Sequence, residues 1–180
     1  NDFQLGDLRL TDAKCIKLRD RLLRFIYTES DQDFIGRVYS IFSFFAQESD
    51  LFLDNICFDF APQLVPILVS AITGKKSEVI KSSAFCILSK IIEQDNEASQ
   101  YIQPINDFLD SFTNIVQSDI KNFEQMSLFS AAVSFIAVGL SSLAELPEFQ
   151  KRFSVRQSLS TLPNFVEMMF TGKSGLKSRL

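Results

Sequence analysis

Carboxylates are the residues of this chain whose type and spacing come nearest to catalytic chemistry. Asp107 and Asp110 lie three positions apart, and Glu93, Asp95 and Glu97 alternate along a short stretch. Paired carboxylates can split into a protonated acid and an ionised base when an apolar pocket raises one of them. These fall at predicted helix ends and connections, where water keeps both members ionised, so solvated charge is the reading they support. The chain has no His, which removes imidazole-based triads and imidazole metal ligation. A nucleophile at Cys15, Cys57 or Cys86 would lack its usual base. Gly172-Lys173-Ser174 has the ending of a phosphate-binding loop, but Glu167 stands where the pattern needs Gly, and a helix is predicted where it needs a strand. Lys151-Arg152-Phe153-Ser154 has the form of a basophilic kinase site, a short pattern that recurs by chance. A phosphate there would offset the basic end. The chain is therefore read as non-enzymatic, with no catalytic residues, cofactor or metal.

Recognition chemistry is better represented. Asn106, Asp110, Thr113, Asn114 and Gln117 share one side of a predicted helix over 104–118, opposite Ile105, Phe108, Leu109, Phe112, Ile115 and Val116. Such a polar row offers donors and acceptors at helical spacing to an extended or helical partner. A plain solvent face has the same composition. Phe44, with Phe52 and Phe58, forms an apolar group that either a preceding helix covers, the favoured reading, or a partner fills. Met168, Met169 and Phe170 lie on the last predicted helix, with no following unit to cover them. That end suits self-association or further chain, because terminal repeats need a cap.

The elements that hold these residues are helices. Phe34, Val38, Ile41, Phe42 and Phe45 recur as Ile80, Ala84, Ile87, Leu88 and Ile91, and again as Phe129, Val133, Ile136, Ala137 and Leu140, at offsets of 46 and 49. The spacing i, i+4, i+7, i+8, i+11 is one face of an α-helix, and the period marks a stacked helical array. Leu64, Val65, Leu68, Ala71 and Ile72 likewise correspond to Phe108, Leu109, Phe112, Ile115 and Val116. A lead-in over 1–11 precedes a capping helix at 12–28, whose apolar stripe is Ile16, Leu22, Leu23 and Ile26. Three units follow at 30–74, 75–118 and 119–172, and a basic tail at 173–180. Long helices are predicted at 32–47, 77–94 and 122–144, and short helices at 50–58, 96–102 and 147–153. Third helices open at Pro62, at Pro104 and near Pro163, and Gly74 and Gly172 close the first and last of them. No period-two alternation survives, so the fold class is all-α.

Composition is that of a folded chain, with 46% hydrophobic and 22% charged residues, nineteen Phe and no Trp. The net charge of −4 argues against phosphate backbone as the main partner, because duplex binding rests on many Lys and Arg contacts. Charge is nonetheless segregated. Residues 91–125 carry seven acids against Lys121, and residues 150–180 carry Lys151, Arg152, Arg156, Lys173, Lys177 and Arg179 against Glu167. Solvated surface is the plain reading, and steering of a basic peptide onto the acidic stretch the sharper one. Three scattered cysteines make no disulfide framework and suit buried thiols in a reducing compartment. Together with the absence of any Asn-x-Ser/Thr acceptor, they place the expectation in the cytoplasm or nucleus. The chain begins with Asn and is expected to be a piece of a longer protein. Met126 to Ala144 carries no charge and is long enough to cross a bilayer. Five serines interrupt it, and it repeats two charged helices, so a central helix buried on most sides is expected.

Units of about 42–50 residues, with two longer helices, a short one between them and prolines opening the later helices, resemble the armadillo/HEAT superfamily. The resemblance covers Asp31 to Gly172 and is one of period and pattern. It implies a right-handed α-α superhelix of about three armadillo-like units behind an N-terminal capping helix, as one domain over 1–180. It also implies protein binding along a concave face lined by the third helices, where the superfamily often places an Asn that clamps peptide backbone. Asn106 and Asn114 fit that part in the second unit, Gln63 and Ser70 stand in the first unit's polar positions, and Asn164 stands in the third. The candidate partner-binding residues are thus Asn106, Asp110, Thr113, Asn114, Gln117, Gln63, Asn164 and Met168. The expected function is a scaffold that binds a peptide or helix of a protein partner, with no membrane span. Homodimerisation through the terminal unit is a further option. Two alternatives stand beside it. One is nucleic-acid association through basic ends, including Lys14, Lys17, Arg19, Arg21 and Arg24; the other is a purely structural segment of a longer solenoid.

Overall fold

A computed structural model describes residues 11–57 and 60–152. The helices are α1 (Asp12–Thr28), α2 (Gln32–Glu48), α3 (Asp50–Cys57), α4 (Ala61–Thr73), α5 (Glu78–Gln94), α6 (Ile105–Gln117), α7 (Phe123–Ala144) and α8 (Pro147–Arg152). The short helix expected at 96–102 is a 3₁₀ helix, Asn96–Tyr101. No strand occurs among the described residues, and the chain is all-α as its periodicity requires. The expected third helix of the last unit, with Asn164, Met168, Met169 and Phe170, lies outside the described residues. So do Phe58, the kinase-like Ser154 and the basic tail.

Side chains fix the helix starts. Asp31 accepts from the Asp33 and Phe34 amides at 2.9 and 3.3 Å, Ser77 from Ile80 at 3.4 Å, and Asn122 from Gln125 at 2.8 Å. Each satisfies an N–H that the first helical turn leaves without a partner. Gln125 returns the favour, accepting from the Lys121 amide at 2.9 Å. Pro104 sits at the cap position of α6, one residue before the helix, and its peptide bond to Gln103 is cis.

The three long helices lie side by side. α5 packs between α2 and α7, α4 covers α5, α6 lies against α4 and α7, and α1 closes one end on α2 and α3. The long helices run in the same direction. Gly36 on α2 faces Val79 and Ile80 on α5, while Ser43, further along, bonds Cys86. On α5, Ser82 meets Ser127 of α7, and Ile92 meets Gly139. Where the two layers meet, Phe85, Phe108 and Phe135 pack ring to ring, with centroids 5.4 to 6.0 Å apart.

Burial of the repeated stripe depends on position in the array. All five of its α5 members are fully buried. On α2, Val38 and Phe42 are buried and Phe45 half-buried, whereas Phe34 and Ile41 are exposed. On α7, Phe129, Val133 and Ile136 are half-buried, and Ala137 and Leu140 are exposed. The outer helices turn a face one residue away toward the core: α2 buries Ile35, Tyr39, Phe42, Ser43 and Ala46 at the same spacing. α7 instead buries Leu128, Ala131, Ala132, Phe135, Gly139 and Leu143. The expectation of a helix buried on most sides is corrected here: the apolar window of α7 is 39% buried. By length and composition alone, α7 could cross a membrane, and core helices of soluble proteins pass the same test. Ile16, expected in the α1 stripe, is also exposed, and Cys15 takes the buried place beside Leu22 and Leu23. α1 leaves Phe44 at 44% exposure, so the covering-helix reading does not hold for it. Phe52 is fully buried against Phe42 and Phe45.

Candidate partner-binding groove

The polar row on α6 is where the sequence placed it. Asn106, Asp110, Asn114 and Gln117 are exposed and Thr113 is half-buried. Thr113 donates to the Leu109 carbonyl at 2.7 Å, so its hydroxyl is already spent inside the helix. Gln63 is exposed on α4, the helix beside α6. The other face of α6 buries Ile105, Phe108, Leu109, Phe112 and Val116. Four of the five α6 candidates are thus exposed, as is Gln63 on the neighbouring helix.

A different surface has the shape of a seat. An open groove of about 660 Å³ runs between α5 and α7 and reaches Gln47 on α2. Ser82, Cys86, Ser89, Lys90 and Glu93 supply its α5 side, at the i, i+4, i+7, i+8, i+11 spacing of one helical face. Ser127, Ser130, Ala131 and Ser134 supply the floor from α7, and Phe123, Met126 and Val138 the rim. Phe123 is 77% exposed. Small hydroxyl-bearing side chains keep the two helices close and leave a trough above them.

The groove's polar atoms are partly committed. The Ser82 and Ser127 hydroxyls share a hydrogen bond of 3.1 Å across the floor. Gln47 donates to the Ser43 hydroxyl at 2.7 Å, and Ser89 donates to the Phe85 carbonyl at 2.8 Å. Lys90 pairs with Glu93 at 2.7 Å. Burial pushes the Cys86 thiol up from its ordinary value, against an opposing pull from its hydrogen bond with Ser43. A raised thiol is a poor nucleophile at neutral pH. Among the described residues no group of three or more His, Cys, Asp or Glu is placed to hold a metal ion.

Sequence reasoning missed this groove. Ser127, Ser130 and Ser134, and Ser82, Cys86 and Ser89, recur at helical spacing, but the α7 serines were read only as interruptions of an apolar run. Their signal was that small polar residues share one face on two successive long helices. The chain matches no family model, and no curated protein or solved structure matches it.

Proposed function

We propose that this chain is a non-enzymatic protein-interaction scaffold whose α5–α7 groove seats a helix of a partner protein within an intracellular assembly. The observation that carries the reading is the groove itself: a trough floored by small side chains and rimmed by exposed Phe123, Met126 and Val138. A helix laid in a groove gains affinity from apolar anchors at i, i+4 and i+7, and aromatic residues and Met are enriched in protein interfaces. The polar row of α6 contributes no residue to the groove and is the alternative seat that the test separates from it. The parallel long helices, with α4 and α6 side by side over them, support reading the array as an armadillo-like right-handed superhelix of three units behind a capping helix.

The test is partner capture by the full chain compared with Ser134→Trp, which fills the trough from an exposed position. A partner retained by the wild-type chain and by Asn114→Ala but lost with Ser134→Trp supports the groove. A partner that Ser134→Trp retains and Asn114→Ala loses moves the site to α6.

A further inference from the structure

Apart from the groove, a cluster of exposed cations marks the α1 end of the array. Lys17, Arg21 and Arg24 are exposed at i, i+4 and i+7, about 10 Å from first to last at ~1.5 Å per residue. Among the described residues no carboxylate pairs with any of the three, nor with Arg37 of α2. Arg19, counted with them from sequence, is used differently. It donates to the Asn55 carbonyl at 3.1 Å and to Asp20, and its guanidinium lies 4.4 Å from the Phe60 ring centroid. Beside the basic row, Phe25 of α1 meets Phe34 of α2 edge to face at 5.4 Å, and the two rings remain 39% and 38% exposed.

We propose that this outer face of α1 docks a short acidic helical segment of a protein partner. Carboxylates at i, i+4 and i+7 on such a segment would match Lys17, Arg21 and Arg24, and one apolar residue would rest on the Phe25–Phe34 pair. Opposite charge at matched spacing speeds encounter and sets register, and the aromatic pair supplies the apolar contact that exposed ion pairs lack. The choice of a short peptide rests on what bounds the row. Asp20 within it is engaged by Arg19, Asp12 precedes it, and exposed Glu29, Asp31 and Asp33 follow directly. A nucleic acid or an anionic membrane extends past those acids and meets repulsion, on a chain whose net charge is already −4. A peptide of about two helical turns (~11 Å) stays on the cations.

The experiment titrates the full chain with a labelled helical peptide bearing Glu at i, i+4 and i+7 and one Leu on that face. Its Gln counterpart, an oligothymidylate and phosphatidylserine vesicles are run in parallel. The proposal expects the Glu peptide to bind, to weaken as salt rises, and to weaken about tenfold or more with Arg21→Glu/Arg24→Glu. Lys75→Glu/Lys76→Glu, equally exposed, is expected to change nothing. Equal binding of the Glu and Gln peptides, or binding that survives the reversal, overturns it. Tighter binding of the oligonucleotide or the vesicles also overturns it. So does concentration-dependent self-association that Arg21→Glu/Arg24→Glu abolishes, because the occupant would then be a second copy of this chain. Ser134→Trp is expected to leave this binding intact, so its outcome is independent of the groove.

Discussion

The Ser82 and Ser127 hydroxyls meet at 3.1 Å although 45 positions separate them in the chain. One hydrogen bond thus marks both the parallel alignment of α5 with α7 and the floor of the trough between them. Small side chains at the contact bring the helices together, and the same smallness leaves the space above.

The layers depend on the aromatic trio beneath that floor. Phe135 is fully buried and touches both Phe85 and Phe108. Phe135→Ala is expected to cost about 3–5 kcal/mol of unfolding free energy, from lost transfer energy and the cavity left behind. Urea denaturation measures it, and a loss below about 1 kcal/mol would mean that the two layers do not close on these rings.

Two glycines should respond in opposite directions. A Cβ at Gly74 would lie 2.8 Å from the Ser70 carbonyl oxygen, inside the closing turn of α4. Its φ of −75° is ordinary, so close approach, and not a left-handed backbone, is what requires Gly there. At Gly139 the nearest atoms to a new Cβ are 3.7 Å away, which is ordinary contact. Gly74→Ala is therefore expected to destabilise. Gly139→Ala is expected to stabilise by about 0.4–1 kcal/mol, through the reduced entropy of the unfolded chain. Midpoint shifts of the same sign would contradict the packing described for these positions.

The array was largely legible before its coordinates because burial imposes a 3.6-residue period on every long helix. The predicted helices at 32–47 and 77–94 begin within a residue of α2 and α5, whose first turns Asp31 and Ser77 cap, and the one predicted at 12–28 matches α1 although Thr11 makes no side-chain cap bond. What the period could not convey is which register of a helix meets the core. Ile80 and Phe34 align in sequence, yet one is fully buried and the other 38% exposed, because α2 turns Ile35, Tyr39, Phe42 and Ala46, one residue on, toward the core. The groove was hidden for a related reason. Ser130 and Ser134 read as ordinary polar residues until α5 sets Ser82 and Ser89 opposite them. The polar row of α6 was legible because it lies on a single helix.

Lys81 gives the array a pH dependence of known sign. Burial lowers its pKa from the ordinary 10.5, and Glu78 pulls the other way without reversing it. Below the folded-state pKa both the folded and unfolded chains carry the proton, and the folded chain bears the full penalty. As pH rises toward 10.5 the folded chain sheds its proton first, and the penalty disappears. Lys81→Met is accordingly expected to be more stable than wild type at neutral pH, with the advantage shrinking as the pH approaches and passes 10.5. A constant difference across that range in pH-dependent denaturation would contradict the assignment.

Photo-crosslinking tests the central claim most directly. The full chain would carry a photoreactive residue in place of Ser130 on the trough floor or, separately, of Asn114 on α6. The account predicts that the residue at 130 captures a partner that Ser134→Trp excludes, and that the residue at 114 captures that partner weakly or not at all. Capture at 114 with none at 130 would place the partner on the opposite face and contradict the groove as its seat.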